Sequence, residues 1–357
     1  MFAGENLRVY RPAYFAGVMA TGIVGLALRE AGFEAISWVL AGIAAAAYVV
    51  LVLLHLRVRW GPPASRASAI ELFAFVAATE VLASLSRWHG VAVALWGVGF
   101  VAWAVVVRVA LAAPARPDEP VRGAWLLATV GTDSLAVTGA SLAHRTAGDV
   151  LLALSLVLWL LALAVYCVLA ANIVGRMRRR EIGIHDLHGD HWITMGALAI
   201  STLAGMRVTA GMTLLGWPGT LHDIANALSV AIWIAAACWL PALLIAESWR
   251  LRQRPLYTAN RWGTVFPLGM YAVASYAINR TAHVGAGTTI AHIFTAAGAA
   301  AWLATATGFL IPNSRFLIPS ASGPTRGRPR AHERTSRSRP RTPRAAGNEV
   351  PPDPGSR

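Results

Sequence analysis

The sequence predicts an all-α integral membrane protein whose ten transmembrane helices fold as five helical hairpins. Three observations predict it. The first is composition: 56% of the 357 residues are hydrophobic and 13% are charged, with a mean hydropathy of +0.53. A soluble domain carries roughly 25% charged residues. The second is segment length. A helical span needs about 20 apolar residues, and ten segments supply them, at 11–29, 34–56, 69–87, 91–113, 123–144, 148–174, 190–211, 222–248, 260–280 and 286–311. The third is the alternation of arginine between successive loops. With the N-terminus in the cytoplasm, sixteen arginines fall on the cytoplasmic side: Arg8, Arg11, Arg57, Arg59, Arg66, Arg108, Arg116, Arg122, Arg176, Arg178, Arg179, Arg180, Arg250, Arg252, Arg254 and Arg261. Five fall on the other: Arg29, Arg87, Arg145, Arg207 and Arg280. This bias supports ten spans with both termini inside, in a plasma (inner) membrane.

Taken in order, the helices differ by parity. The first carries Thr21 and Gly22, and the third carries Glu71, Thr79 and Glu80. The fifth has Thr129, Thr132, Asp133 and Ser134, and the seventh Thr194, Ser201 and Thr202. The second, fourth and sixth are almost pure Ala, Val, Leu and Trp. The economical arrangement therefore places the odd helices inside, around an axis, and the even helices outside against lipid. Helix eight, with Pro241, and helix ten, with several threonines, make the contrast a tendency. Hydroxyls that bond their own backbone carbonyls are the alternative to a polar pore.

The ninth helix breaks a rule of its own. Pro267 lies inside it, has no N–H, and crowds the carbonyl of Gly263, so a kink is expected there. A freed carbonyl in lipid needs a partner or a wet cavity. Phe266 beside it makes this a helix that lines a path, and a phenyl ring in a narrow apolar bore blocks ions sterically and by dewetting.

Outside the helices, residues 1–10 form a cytoplasmic segment, 11–313 the membrane domain, and 314–357 a disordered tail. The tail holds ten Arg against Glu333, Glu349 and Asp353, a balance of +7 within a net charge of +14. Anionic cytoplasmic lipid suits it as a partner, and no nucleic acid is expected. Every basic residue is Arg rather than Lys. No cleavable signal pattern precedes the first span. Cys167 and Cys238 sit alone in apolar runs and read as small buried hydrophobes.

Four segments resemble the tellurite-resistance/dicarboxylate transporter family. They are Arg11-Pro-Ala-Tyr-Phe-Ala-Gly-Val-Met-Ala-Thr-Gly-Ile23, Gly123-Ala-Trp-Leu-Leu127, the run from His191 to Gly205, and Trp262-Gly-Thr-Val-Phe-Pro-Leu-Gly-Met-Tyr271. They look like that family's first, fifth, seventh and ninth helices, and the similarity covers roughly residues 8–312. The family includes plant guard-cell slow anion channels and microbial malate and sulfite exporters. The resemblance implies a quasi-fivefold ten-helix pore, a homotrimer with one pore per subunit, and Phe266 as the plug.

Further candidates follow from the residues. The five non-cytoplasmic arginines could ring an outer mouth and concentrate anions. The competing reading is favourable placement at helix C-termini and snorkelling to the interface. Fourteen residues before them stand Phe15, Phe73, Gly131, Ile193 and Phe266, a partly aromatic layer. Glu80 and Asp133 lie deepest among the acids and suit a proton-coupled carrier or structural pairs with arginine. The run His185-Asp-Leu-His188-Gly-Asp-His191 has metal-like residues but lacks demonstrable ligand geometry, so no metal is assigned. An intramembrane redox enzyme is a remote alternative, because only His292 is placed deep in a span for haem. The function expected is translocation of a small inorganic anion, sulfite or C4-dicarboxylate by a channel or a proton-coupled carrier, with no enzymatic activity and no cofactor.

Overall fold

The computed structural model describes residues 14–57, 63–114, 116, 119–146, 148–183, 189–253 and 261–310. Its contacts divide the chain into Met1–Pro312 and Asn313–Arg357. The expected N-terminal segment and Arg/Pro-rich tail lie outside the described residues, as do Arg8, Arg11, Arg59, His185 and His188.

The described part is helical. Its α-helices are α1 (Phe15–Glu30), α2 (Glu34–Arg57), α3 (Arg66–Ile70), α4 (Phe73–Leu85), α5 (His89–Ala112), α6 (Leu127–Ala143), α7 (Gly148–Arg178), α8 (Ile193–Leu215), α9 (Gly219–Ala237), α10 (Leu240–Gln253), α11 (Trp262–Ala282) and α12 (Ala286–Leu310). Tighter 3-10 turns, Gly123–Leu126 and Gly189–Trp192, lead into α6 and α8. These join into ten helical segments in the expected order. Eight are long and apolar enough to cross a membrane. The other two are α1, with 16 described residues, and α11, which carries Pro267, Asn279 and Arg280.

Pro241 and Pro267, both deep in their expected spans, behave differently. Pro241 coincides with a break: α9 stops at Ala237, whose carbonyl Pro241 would crowd, and α10 resumes at Leu240. At Pro267, α11 continues without interruption.

Burial separates the helices into two sets. In the segments containing α4, α6 and α8, 67–89% of the apolar window is buried; in those of α2, α5, α7, α9 and α12 it is 11–39%. In α1, every residue from Val18 to Leu28 is buried, and α11 is buried from Thr264 to Ile278 apart from Leu268. The peripheral helices expose large apolar side chains such as Val39, Leu53, Val101, Val157 and Ile234. An apolar surface this extensive requires a lipid solvent. Cys167 and Cys238 are also on this exposed perimeter, not buried as expected: α7 turns Cys167 outward, and Cys238 caps the C-terminal end of the peripheral α9.

The core helices pack in cyclic order: α1 on α4, α4 on α6, α6 on α8, α8 on α11, and α11 back on α1. Each also packs on the peripheral helix that follows it, α2, α5, α7, α9 and α12 respectively. Their N-terminal ends meet one another. Trp262 of α11 lies over Gly17 of α1, and the backbone at Gly263 abuts that of Gly189. Gly123 is pressed against the backbone of Asp190 and His191 so closely that a methyl group has no room.

Aromatic side chains of the periphery bolt the two layers together. Trp302 Nε1 of α12 donates to Thr21 Oγ1 at 3.0 Å, and Trp103 Nε1 of α5 donates to Thr132 Oγ1 at 2.9 Å. Trp233 Nε1 of α9 donates to Ser275 Oγ at 2.9 Å, and the Tyr48 hydroxyl of α2 meets Thr79 Oγ1 at 2.8 Å. Each acceptor hydroxyl gives its own proton to the carbonyl four residues back, at 2.7–2.8 Å. Lipid offers no competing water, yet such bonds contribute about 0.6–2 kcal/mol each. Trp233→Phe, which removes one donor and keeps the ring, is therefore expected to destabilise the protein by about 1 kcal/mol, read as a lowered unfolding midpoint in detergent.

Candidate functional site

Since the N-terminal ends of the core helices meet, their C-terminal ends gather at the opposite end of the bundle, around a cavity of about 470 Å³. All five helices contribute to its lining, including Leu26, Arg29 and Glu30 of α1, Ala83 and Ser84 of α4, Val137 and Ser141 of α6, Leu203 and Arg207 of α8, and Val273 of α11. Arg87 and Arg145, just past α4 and α6, also line it. Four of the five arginines singled out by loop position thus share one cavity, and Arg280 is bonded to Glu30 in its wall.

The arginines differ in what holds them. Arg29 donates to the terminal carbonyls of α4, Nη1 to Leu85 at 3.3 Å and Nη2 to Ser84 at 3.1 Å. Arg87 pairs with Glu34 at 3.1 Å and lies over the Trp38 ring at 4.4 Å. Arg145 Nε donates to His144 Nε2 at 3.0 Å. Arg207 is eight residues before the end of α8, about 12 Å by helical rise, whereas the other four stand in or after the last turn of their helices. Its Nε is buried without a hydrogen-bond partner.

Helical register leads from the cavity lining to residues deeper in the core. Residues seven apart lie on nearly the same helix face, about 10 Å apart along the axis. Seven residues before Val273, Leu203, Leu26, Val137 and Ala83 come Phe266, Gly196, Met19, Val130 and Val76, all buried. Phe266 is wholly inaccessible, and a Cβ at Gly196 would stand 3.3 Å from its Cε1 and 2.9 Å from Pro267 Cγ. The ring of Phe266 thus occupies space that Gly196 leaves empty.

This set differs from the one counted back from the arginines, because Arg207 stands farther from its helix end than the other four. Phe15 instead joins a cluster with Phe75 and Tyr48, at centroid distances of 5.1 and 5.8 Å, and Phe73 packs on Gly131. Met19, Val76 and Val130 carry no polar or aromatic signal, so sequence reading passed over them; the seven-residue spacing from the cavity residues locates them.

The remaining expected residues spread over several seams. Thr21 and Thr132 turn their hydroxyls to α12 and α5, as described, because tryptophan donors are there. Gly22 accommodates Val81 and Leu85 of α4. Thr194 and Thr202 bond the carbonyls of His191 and Leu198 at 2.7 and 2.8 Å. Glu80 points its carboxyl against Gly99 of α5, while Asp133 faces Ser201 of α8 without completing a hydrogen bond. Both acids are buried, neither is ion-paired with an arginine among the described residues, and neither lines the cavity. His292 is on the exposed side of α12, edge-on to Tyr276 at 5.7 Å, and not buried as a haem ligand requires. Among the described residues no group of three or more His, Cys, Asp or Glu could hold a metal.

Fold and site together define a multi-pass helical membrane protein with an arginine-lined cavity at one end of its buried core helices. The family model described as SLAC1, voltage-dependent anion channel, matches residues 10–310, and the chain belongs to that family. Two uncharacterized membrane proteins of Mycobacterium tuberculosis, from strains CDC 1551 and H37Rv, are each 33% identical to it over 126 residues. That match spans 33% of this chain and 61% of each relative.

Proposed function

We propose that the protein passes small anions across a membrane along the axis enclosed by α1, α4, α6, α8 and α11. The observation that carries this reading is the cavity at the C-terminal ends of all five core helices, lined by Arg29, Arg87, Arg145 and Arg207, with Phe266 wholly buried two helical turns before the cavity residue Val273. Arginines at a mouth with low-dielectric walls raise the local anion concentration and repel cations. The cyclic packing supports a quasi-fivefold pore of five hairpins, core helices inside and peripheral helices outside. Phe266 is the constriction, Pro267 wedges it against Gly196, and Arg280 completes the mouth through Glu30. Of the other polar candidates, Thr194, Ser201, Thr202 and Asp133 lie on core helices bordering the axis; Thr21 and Thr132 support it from behind. Gly22 lets α1 and α4 close.

The arginine bias supports a cavity on the non-cytoplasmic face of a plasma membrane, with both termini inside. The assembly proposed is a homotrimer, and the substrate classes are inorganic anions, sulfite and C4-dicarboxylates. Liposomes containing the protein are expected to pass at least one of chloride, nitrate, sulfite and malate faster than empty liposomes. Failure with all four, or a cation flux in their place, overturns the reading.

A second reading, a proton-coupled anion carrier, is favoured by one observation: Glu80 and Asp133 are buried carboxyls that no arginine neutralises. Ionised carboxylates in such seams cost several kcal/mol, so protons could travel with the anion through them. The channel reading predicts that Glu80→Gln and Asp133→Asn leave the pH dependence of flux unchanged, since neither acid lines the cavity. Loss of that dependence in a folded variant would establish the carrier instead.

A further inference from the structure

Arg207 is the cation at this mouth with an unfilled role. Arg29, Arg87, Arg145 and Arg280 each satisfy a carbonyl, a carboxylate or an imidazole. Among the described residues Arg207 makes no ion pair, and its buried Nε donates to nothing. Its charged neighbours are Glu30, Arg280 and Arg29, and Glu30 is already held by Arg280. A guanidinium two turns below its helix end, without a carboxylate of its own, needs an anion or ordered water to satisfy it. It lines a cavity of about 470 Å³, which admits such an anion.

We propose that Arg207 is a discrete binding site for one small oxyanion at the cavity floor, and that Glu30 weakens it by competing for the same positive field. This rests on the anion-translocation reading and names the residue that holds the anion before it meets Phe266. The ligand class follows from the donor. A guanidinium presents parallel N–H groups that match two coplanar oxygens, as in nitrate or a carboxylate, and a halide satisfies that fork less well. Glu30 is a carboxylate in the same wall, so it repels an incoming anion unless Arg280 keeps it engaged. Arg280 thereby acts on the site through Glu30, without touching the ligand.

The test is equilibrium binding, separate from transport. The full chain in detergent is titrated with sodium nitrate, and separately with sodium chloride, at constant ionic strength against sodium fluoride, whose strongly hydrated anion offers no coplanar oxygens. The unfolding midpoint is followed, since a ligand binding only the folded state raises it. The wild type is expected to saturate with nitrate at a lower concentration than with chloride. Arg207→Gln should raise the half-saturating nitrate concentration by about tenfold or abolish saturation, in line with loss of a charge-assisted bidentate pair. Arg207→Lys keeps the charge and loses the fork. It should erase the preference for nitrate over chloride, which decides the matter even if the glutamine variant does not fold. Glu30→Gln should lower the half-saturating concentration.

A nitrate titration unchanged in both Arg207 variants, or a non-saturating wild type, overturns the site. Anion flux in liposomes without saturable binding leaves the translocation reading standing and removes only this site. Binding at Arg207 without flux does the reverse.

Discussion

Phe266→Ala is expected to increase anion flux through the reconstituted protein on the order of tenfold or more, equivalent to removing about 1.4 kcal/mol or more from the barrier. The ring has no solvent-accessible surface and packs over Gly196, and the proposed path places it at the depth of the buried Met19, Val76 and Val130. On the proposed path, truncation should open the apolar stretch at Phe266 to water and relieve a block by dewetting. It also leaves a cavity, with a stability cost of about 3–5 kcal/mol, so a shifted unfolding midpoint should accompany the gain in flux. Phe266→Leu fills most of the volume and is expected to keep the block. An alanine variant that is folded yet no leakier than wild type removes Phe266 from the path.

Gly123→Ala has the second large expected effect, and it falls on folding rather than transport. The added methyl would collide with main-chain atoms at Asp190 and His191, including the Asp190 carbonyl carbon at 2.6 Å and His191 Cα at 2.7 Å. Backbone cannot swing aside as a flexible side chain does. The 3-10 turns before α6 and α8 must separate, at an expected cost of about 3 kcal/mol. Gly97→Ala is the control: nothing lies within 4 Å of a Cβ there, and alanine is the better helix former by about 1 kcal/mol. Equal unfolding midpoints for the two variants would contradict the close approach at Gly123.

Much of the architecture was legible in the residues. Ten apolar runs of membrane length became ten helical segments, and the polar odd-numbered runs became the buried core. That contrast survives because lipid tolerates Val and Leu on the perimeter but not Glu80 or Asp133. The orientation of each core helix was not legible. A helix buried on all sides shows no apolar stripe, so Thr21 facing α12 and Thr132 facing α5 depended on tryptophans 281 and 29 residues distant in sequence. Both cysteines were misplaced for the converse reason: an apolar neighbourhood in a membrane chain does not distinguish core from perimeter.

The candidate site was legible in part. The arginines could be grouped by loop position alone, and four of them line one cavity. Their differing commitments could not, since Leu85, His144, Trp38 and Glu30 approach them only in the fold. Phe266 stood out because it precedes a proline inside a span. Gly196 did not, because its part is to be absent where Phe266 and Pro267 need room.

The reversal potential of wild-type and Phe266→Ala protein in a planar bilayer, under a salt gradient, tests the central claim most directly. An arginine-lined axis predicts a current reversing near the equilibrium potential of the anion, shifting toward that of the cation when Arg207 and Arg280 are neutralised together. A current reversing at the cation potential in the unmodified protein would contradict it, as would selectivity indifferent to those two arginines.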